Sequence, residues 1–194
     1  MRRTFFVVVI GLIPILGVLD PARAGPLDTG FAAYGRGDYA EAAKWYRVAA
    51  EQGNADAQFN LGAMYDLGIG VLQNHAEAVK WYRLAANRRH VLAQFNLGTK
   101  YRLGQGVQQN HGEAVKWFRL AAEQGDGKAQ NSLGAMYGDG EGVPQNHVFA
   151  HMWFNLAGAQ GNTVALKNRD RTAAKMTPTQ IADAQRLAAQ WKPK

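Results

Sequence analysis

A nine-residue segment, Ala78-Val79-Lys80-Trp81-Tyr82-Arg83-Leu84-Ala85-Ala86, recurs with small changes three more times. The related copies begin at Ala42, Ala114 and Ala150, so each start lies 36 residues from the next. A fixed period between about 20 and 50 residues arises from units that cannot bury an apolar face alone and must stack on their neighbours. The chain is therefore expected to be a solenoid. The four units span about 27–54, 55–90, 91–126 and 127–162.

Ahead of the first unit, the chain reads as a targeting segment. Arg2 and Arg3 precede an apolar run from Phe5 to Leu19, and Ala22-Arg23-Ala24 is a small-x-small cleavage signal. This pattern predicts a secretory signal peptide over 1–24. The apolar run falls short of the roughly 20 residues a spanning helix needs, so cleavage near Ala24 is expected rather than retention as an anchor. Arg2-Arg3 also touches the twin-arginine pattern, but the general secretory route is favoured. The expected location is periplasmic or secreted, and no other run is long or apolar enough to cross a membrane. The chain has no cysteine, so packing must hold it together outside the cell without disulfides. With Arg2, Arg3, Arg23 and Asp20 removed, 19 basic and 14 acidic side chains remain, a net charge of +5. This supports acidic partners only weakly, and export argues against nucleic acid.

Within the units the pattern predicts two helices each. The first carries Leu61-Gly62-x-x-Tyr65, repeated at Leu97-Gly98-x-x-Tyr101 and Leu133-Gly134-x-x-Tyr137. Glycine is a poor helix former, by about 1 kcal/mol against alanine, so its recurrence predicts close approach of a neighbouring helix. Gly-x-Gly-Val turns follow at Gly68, Gly104 and Gly140. Asn74, Asn110 and Asn146 are the expected N-caps of the second helices, with Glu77 and Glu113 at N3. In the first unit a shorter helix over Phe31–Tyr34 is expected, with Asp38 and Glu41 forming a capping box.

Residues 163–194 lose the pattern, although Ala165 still falls on the period. A polar helix to about Lys175 and an amphipathic one opened by Thr177-Pro178-Thr179-Gln180 are expected to cap the stack. In the fourth unit Phe149 and Met152 stand where the others have glutamate and lysine. Both are expected to be covered by the capping helices or by a partner.

Little in the chain points to catalysis. His75, His111 and His147 occur one per unit, and helices pack about 8–10 Å apart, too far for the three to share a metal. His147 and His151 lie four apart on one helix but lack an evident third ligand. Ser132, the single serine, has no nucleophile motif around it. Asp139 and Glu141 read as turn polarity. No catalytic residue, cofactor or metal is expected. Lys44, Lys80 and Lys116, with Arg47, Arg83 and Arg119, read as a solvated helix face paired with Glu41, Glu77 and Glu113. Arg88-Arg89-His90 differs. It replaces the Gln-Gly-Asn or Gln-Gly-Asp turn of the other units and puts arginine at the C′ glycine position, which suits an acidic partner or a different turn.

The set Leu61-Gly62-x-x-Tyr65, Gly68-x-Gly70-Val71 and Ala78-x-x-Trp81-Tyr82-x-x-Ala85-Ala86 resembles the Sel-one-like repeat, a relative of the tetratricopeptide repeat. Units two and three match in full, unit four loses the final alanine to Gly158, and unit one matches only in its second helix. The resemblance implies an all-α fold, a right-handed α-solenoid of antiparallel helix pairs, and a scaffold or adaptor role. It also implies a concave groove lined by first helices. The matching positions are Phe59, Asn60, Ala63 and Asp66; Phe95, Asn96, Thr99 and Arg102; and Asn131, Ser132, Ala135 and Gly138. Asn60 and Asn96 would bond an extended peptide backbone. The function expected is an exported, monomeric, non-enzymatic scaffold that binds a protein or peptide partner and tunes an envelope signalling or assembly complex. An enzyme acting on cell wall or glycan, or a polysaccharide-binding module, is the alternative.

Overall fold

Ten helices and no strand occupy residues 25–194, the part described by the computed structural model; the expected signal peptide lies outside the described residues. In chain order they are α1 (Pro26–Gly35), α2 (Tyr39–Glu51), α3 (Ala55–Leu67), α4 (His75–Asn87), α5 (Val91–Leu103), α6 (His111–Glu123), α7 (Gly127–Asp139), α8 (His147–Ala159), α9 (Thr163–Ala173) and α10 (Pro178–Gln190). Each packs on the helix before and after it up to α9, while α10 returns to α8. This nearest-neighbour pattern is that of an α-solenoid.

The recurrent glycine sets the distance inside each pair. A Cβ on Gly98 would sit 2.8 Å from the Phe118 ring, and one on Gly62 or Gly134 equally close to the ring of Tyr82 or Phe154. The first helix thus presents bare backbone, and the aromatic of the second helix packs against it. Tyr82 and Phe118 are 1% and 0% exposed as a result. Burial pushes the Tyr82 phenol well above its usual range, with the nearby Asp66 carboxylate adding to the effect. Unit one keeps the device at Gly30, against Tyr46. It stands 32 residues before Gly62 because the first unit's turn is shorter. Helix α1 also begins five residues before Phe31, with Pro26 in its first turn and Thr29 Oγ1 donating to the Gly25 carbonyl at 3.0 Å.

Between units three ladders run. Arg83 and Arg119 donate to the hydroxyls of Tyr101 and Tyr137 at 2.6 and 2.7 Å, and Arg47 pairs with Tyr65 in the same way. The arginines are therefore not simply solvated; each ties a second helix to the first helix of the next unit. The lysines beside them do pair with Glu41, Glu77 and Glu113 at the surface. The second ladder is backbone: Gly106 and Gly142 bring their turns so close to His75 and His111 that any Cβ would strike the main chain there. The third is glutamine. Gln58, Gln94 and Gln130 donate to the carbonyls of Ala50, Ala86 and Ala122 at 3.0–3.2 Å. Gln124 and Gln160 then donate to the side-chain oxygens of Gln94 and Gln130 at 2.7 and 2.9 Å. The ladder stops at α9, where Leu166 takes the glutamine position and packs onto Gly158, the glycine standing for the last alanine.

The caps hold at most ends. Asn74, Asn110 and Asn146 accept from first-turn amides, and Thr177 with Gln180 forms a full capping box. Asp38 does not cap α2. Its carboxylate takes a charge-assisted bond from Arg36 Nε at 3.1 Å, and Glu41 instead accepts from Lys44 and Trp45. Met152 lies in a core cluster with Ala184 and Ala188 of α10, as expected for a cap. Phe149 is not covered: it remains 39% exposed, its ring resting on Tyr137. Met152 and Trp153, one turn further along α8, share that cluster with α10, while Phe149 stays outside it.

The α4–α5 turn departs from its counterparts at three consecutive positions. Arg89 keeps the left-handed backbone (φ 64°) that Gly53, Gly125 and Gly161 adopt elsewhere. Arg88 replaces the ladder glutamine, and Gln58 Oε1 is left buried with no partner. His90 replaces the N-cap Asn or Asp: its Nδ1 accepts from the Ala93 amide at 3.2 Å and its Nε2 faces Asp56 at 3.3 Å. Stacked on Phe59, the ring is buried enough to lower its pKa, against the opposing pull of Asp56.

Three measurements check this packing. Gly98→Ala should lower the unfolding free energy by about 1–2 kcal/mol, since overpacking at Phe118 outweighs the better helix propensity. Arg88→Gln and Arg89→Gly should each raise it by about 1 kcal/mol, by satisfying Gln58 and by relieving a left-handed arginine. His90 holds its cap only when neutral. Its lowered pKa makes that contribution present above the ordinary histidine value of about 6.5 and lost as pH falls below it. From pH 7.5 to 5, the melting temperature should therefore fall further for wild type than for His90→Asn.

Candidate functional site

The outward row of the first helices is where the units differ most. Inside each pair the residues repeat: Leu61, Leu97 and Leu133, then Gly62, Gly98 and Gly134. On the outward row they change more: Asp66, Arg102 and Gly138 all differ, Thr99 stands between Ala63 and Ala135, and Asn131 follows Phe59 and Phe95, although Asn60, Asn96 and Asn168 recur. In α3, Phe59, Asn60 and Ala63 are buried, at 5%, 7% and 4% exposure. Asn60 and Ala63 border a small apolar recess of about 10 Å³ with Tyr34, Tyr46 and Met64. In α5, Phe95, Asn96 and Thr99 are half-buried and Arg102 is exposed; Phe95 leans on Phe118, and the Thr99 hydroxyl donates to the Phe95 carbonyl at 3.0 Å. In α7, Asn131, Ser132, Ala135 and Gly138 are all half-buried. The structure thus puts the row from Phe95 to Ser132 within reach of solvent and folds that of α3 into the packing.

Helix α9, expected from the sequence only to cap the stack, continues the row. Lys167, Asn168 and Arg171 stand 36 residues after Asn131, Ser132 and Ala135. Asn168 Nδ2 donates to Asn131 Oδ1 at 3.2 Å, joining α9 to α7. The signal was Ala165, which is fully buried and lies on the period as Ala129 does.

At the centre of the row, Asp66 anchors a polar cluster. Lys100, 6% exposed, occupies the place of Met64 and Met136 in the neighbouring units. Its ammonium is paired with Asp66 Oδ1 and bonded to Gln105 Oε1 at 3.0 Å. His75 Nδ1 lies 2.7 Å from the same Asp66 oxygen, an arrangement that places the ring proton on Nδ1. A buried ammonium is strongly unfavourable unless paired, so this carboxylate is fully engaged within the protein. In unit three His111 Nδ1 lies 3.5 Å from Glu141 without a hydrogen bond. In unit four His147 Nδ1 is enclosed with no hydrogen-bond partner among the described residues. There, Gly138 stands in the place of Asp66, and a polar recess of about 170 Å³ opens between α7, α8 and α9.

The basic turn lies apart from this row. Arg88 and Arg89 are exposed; the Arg88 guanidinium lies over Gly53, and Arg89 donates to the Lys194 carbonyl at 3.3 Å. Among the described residues no group of three His, Asp or Glu side chains could hold a metal. His151 is buried at 3% exposure, its pKa lowered by burial and by Arg169. No helix among the described residues is long and apolar enough to cross a membrane.

Comparison with known proteins places these elements. The model of the Sel1 repeat matches four times, at residues 28–54, 55–90, 91–126 and 127–162. A Sel1 repeat protein from Oxalobacter formigenes is similar in structure, with a TM-score of 0.74 at 32% identity over 90% of this chain and 77% of that one. So is c5321, described as a protective antigen of uropathogenic Escherichia coli strains displaying an SLR fold, with a TM-score of 0.60 at 34% identity. That alignment covers 78% of this chain, which spans 40% of the length of c5321. No curated protein matches the chain. Sel1 repeats generally serve as protein-interaction scaffolds. With four tandem matches in register with its helix pairs, the chain belongs to the Sel1 repeat family.

Proposed function

We propose that this protein is an exported scaffold that grips a protein or peptide segment along the outward row of its first helices, without chemistry of its own. The observation that carries this reading is the division of labour between faces. Most packing positions repeat from unit to unit, whereas the row through Asn96, Thr99, Arg102, Asn131 and Ser132 is polar and open or half-open, and it keeps Asn60, Asn96 and Asn168 while most of its other positions change. A polar row that runs across successive units is the kind of extended surface with which a repeat protein grips a partner. Half-buried amides and hydroxyls suit the backbone of an extended chain, and Arg102 adds charge selection. The Asp66 carboxylate, neutralised by Lys100, is a fixed floor rather than a catalytic acid. Trp117 and Trp153 are 6% and 7% exposed, so neither indole offers a face on which a sugar could stack. The signal-peptide pattern over 1–24 supports a partner in the envelope or beyond, in a signalling or assembly complex.

The test is affinity capture of cross-linked partners from whole cells, comparing wild type with the triple variant Asn96→Ala, Thr99→Ala and Arg102→Ala. The variant should lose a specific partner while its melting temperature shifts by no more than a few degrees, because surface changes usually stay within about 0.5 kcal/mol each. Identical partner lists would remove the row as the binding face. Partners found only in the cytoplasm would remove the exported role.

A further inference from the structure

The structure supplies its own template for a carboxylate site on the outward row. In unit two, a carboxylate from Asp66 is held by His75 at the start of the second helix and by Lys100 of the next first helix. In unit four the equivalent place holds no carboxylate. Gly138 has no side chain, and a Cβ added there would meet nothing nearer than Ala150 Cβ at 3.7 Å. His147, the counterpart of His75, has an unpaired Nδ1. The recess at this place is bordered by Gly138, His147, Asn168, Arg171, Lys175 and Asp139. Neither Arg171 nor Lys175 is ion-paired among the described residues, although both are exposed at its mouth.

We infer that this recess receives a carboxylate from the partner chain, taking the place that Asp66 fills internally in unit two. The inference rests on the reading of the outward row as a partner-binding face, since α9 extends that row. Three features select this chemistry. Two free cations against one Asp139 leave the recess with a net charge of +1, which balances a single carboxylate better than a phosphate dianion. The volume of about 170 Å³ equals that of about six waters at roughly 30 Å³ each, enough for an acidic side chain or a chain end. Arg171 offers the planar fork of donors that matches a carboxylate. The source is either an Asp or Glu side chain or the C-terminal carboxylate, and the chemistry is the same for both.

The probe is a hexapeptide of alternating glycine and aspartate, followed by amide chemical shifts in the full chain. It is used with a free C-terminus, as the C-terminal amide, and with asparagine in place of aspartate. The expected result is saturable shifts at Ala135, Gly138 and Arg171, weakened at least tenfold in Arg171→Ala/Lys175→Ala. Gly138→Asp should abolish the shifts, because the new carboxylate occupies the recess, while it leaves the fold intact. Shifts that survive amidation but not asparagine assign the group to a side chain; the reverse assigns it to the chain end. Equal shifts in wild type and the double variant, or undiminished binding by Gly138→Asp, would overturn the inference. Shifts confined to Asn96, Thr99 and Arg102 would overturn the recess and leave the row standing. No shift anywhere at millimolar peptide would overturn both.

Discussion

A bare glycine beneath an aromatic ring is the contact on which the rest of this structure depends. It fixes the separation of each helix pair and buries the rings laid on it almost completely: Tyr46, Tyr82 and Phe118 are each at most 2% exposed. With that distance set, the second-helix alanines can meet the next unit, the turn glycines can touch neighbouring main chain, and the arginines can reach tyrosine hydroxyls one unit away. A chain without disulfides gains its cohesion from many such identical contacts. None of them is strong alone; exposed ion pairs such as Lys44–Glu41 contribute little. Repetition adds the small terms and spreads them along the rod.

Identity between units also makes the exceptions informative. Every departure has a structural consequence visible beside an unaltered copy. Gly158 admits Leu166 where a glutamine would have bonded an alanine carbonyl. Lys100 replaces a core methionine and requires the Asp66 carboxylate to stay buried. Arg88, Arg89 and His90 together break a ladder, force a left-handed backbone on a branched-free but bulky side chain, and substitute an imidazole for a side-chain oxygen at a cap. The two arginines of that set are unfavourable to folding, and backbone strain of this kind gathers where a surface is used. It lies on a different edge from the outward row, so the two basic features need not serve the same contact.

Much of the fold was legible in the sequence because its signals are local. A 36-residue period, an asparagine before each second helix and Thr177-x-x-Gln180 each act within one turn or one unit. The device at Gly30 was hidden because a shorter turn moves it off the period. The Asp38 cap failed because Arg36, two residues away, outbids the backbone amides for its carboxylate. What belongs to the candidate site was less legible, since its contacts cross units: arginine to tyrosine is 18 residues apart, Lys100 to Asp66 is 34, and Asn168 to Asn131 is 37. Helix α9 lost the Leu-Gly-x-x-Tyr signature and kept only Ala165, so its share in the outward row emerged from packing rather than pattern.

The claim at the centre is that cohesion passes from neighbour to neighbour through ring-on-glycine pairs rather than through one shared core. Residue-resolved hydrogen exchange on the full chain carrying Gly134→Leu tests it most directly. Disrupting the fourth pair should strip protection from α7, α8, α9 and α10 while α2, α3 and α4 keep theirs. Loss of protection to the same extent in every helix would show a single cooperative globule and contradict the account.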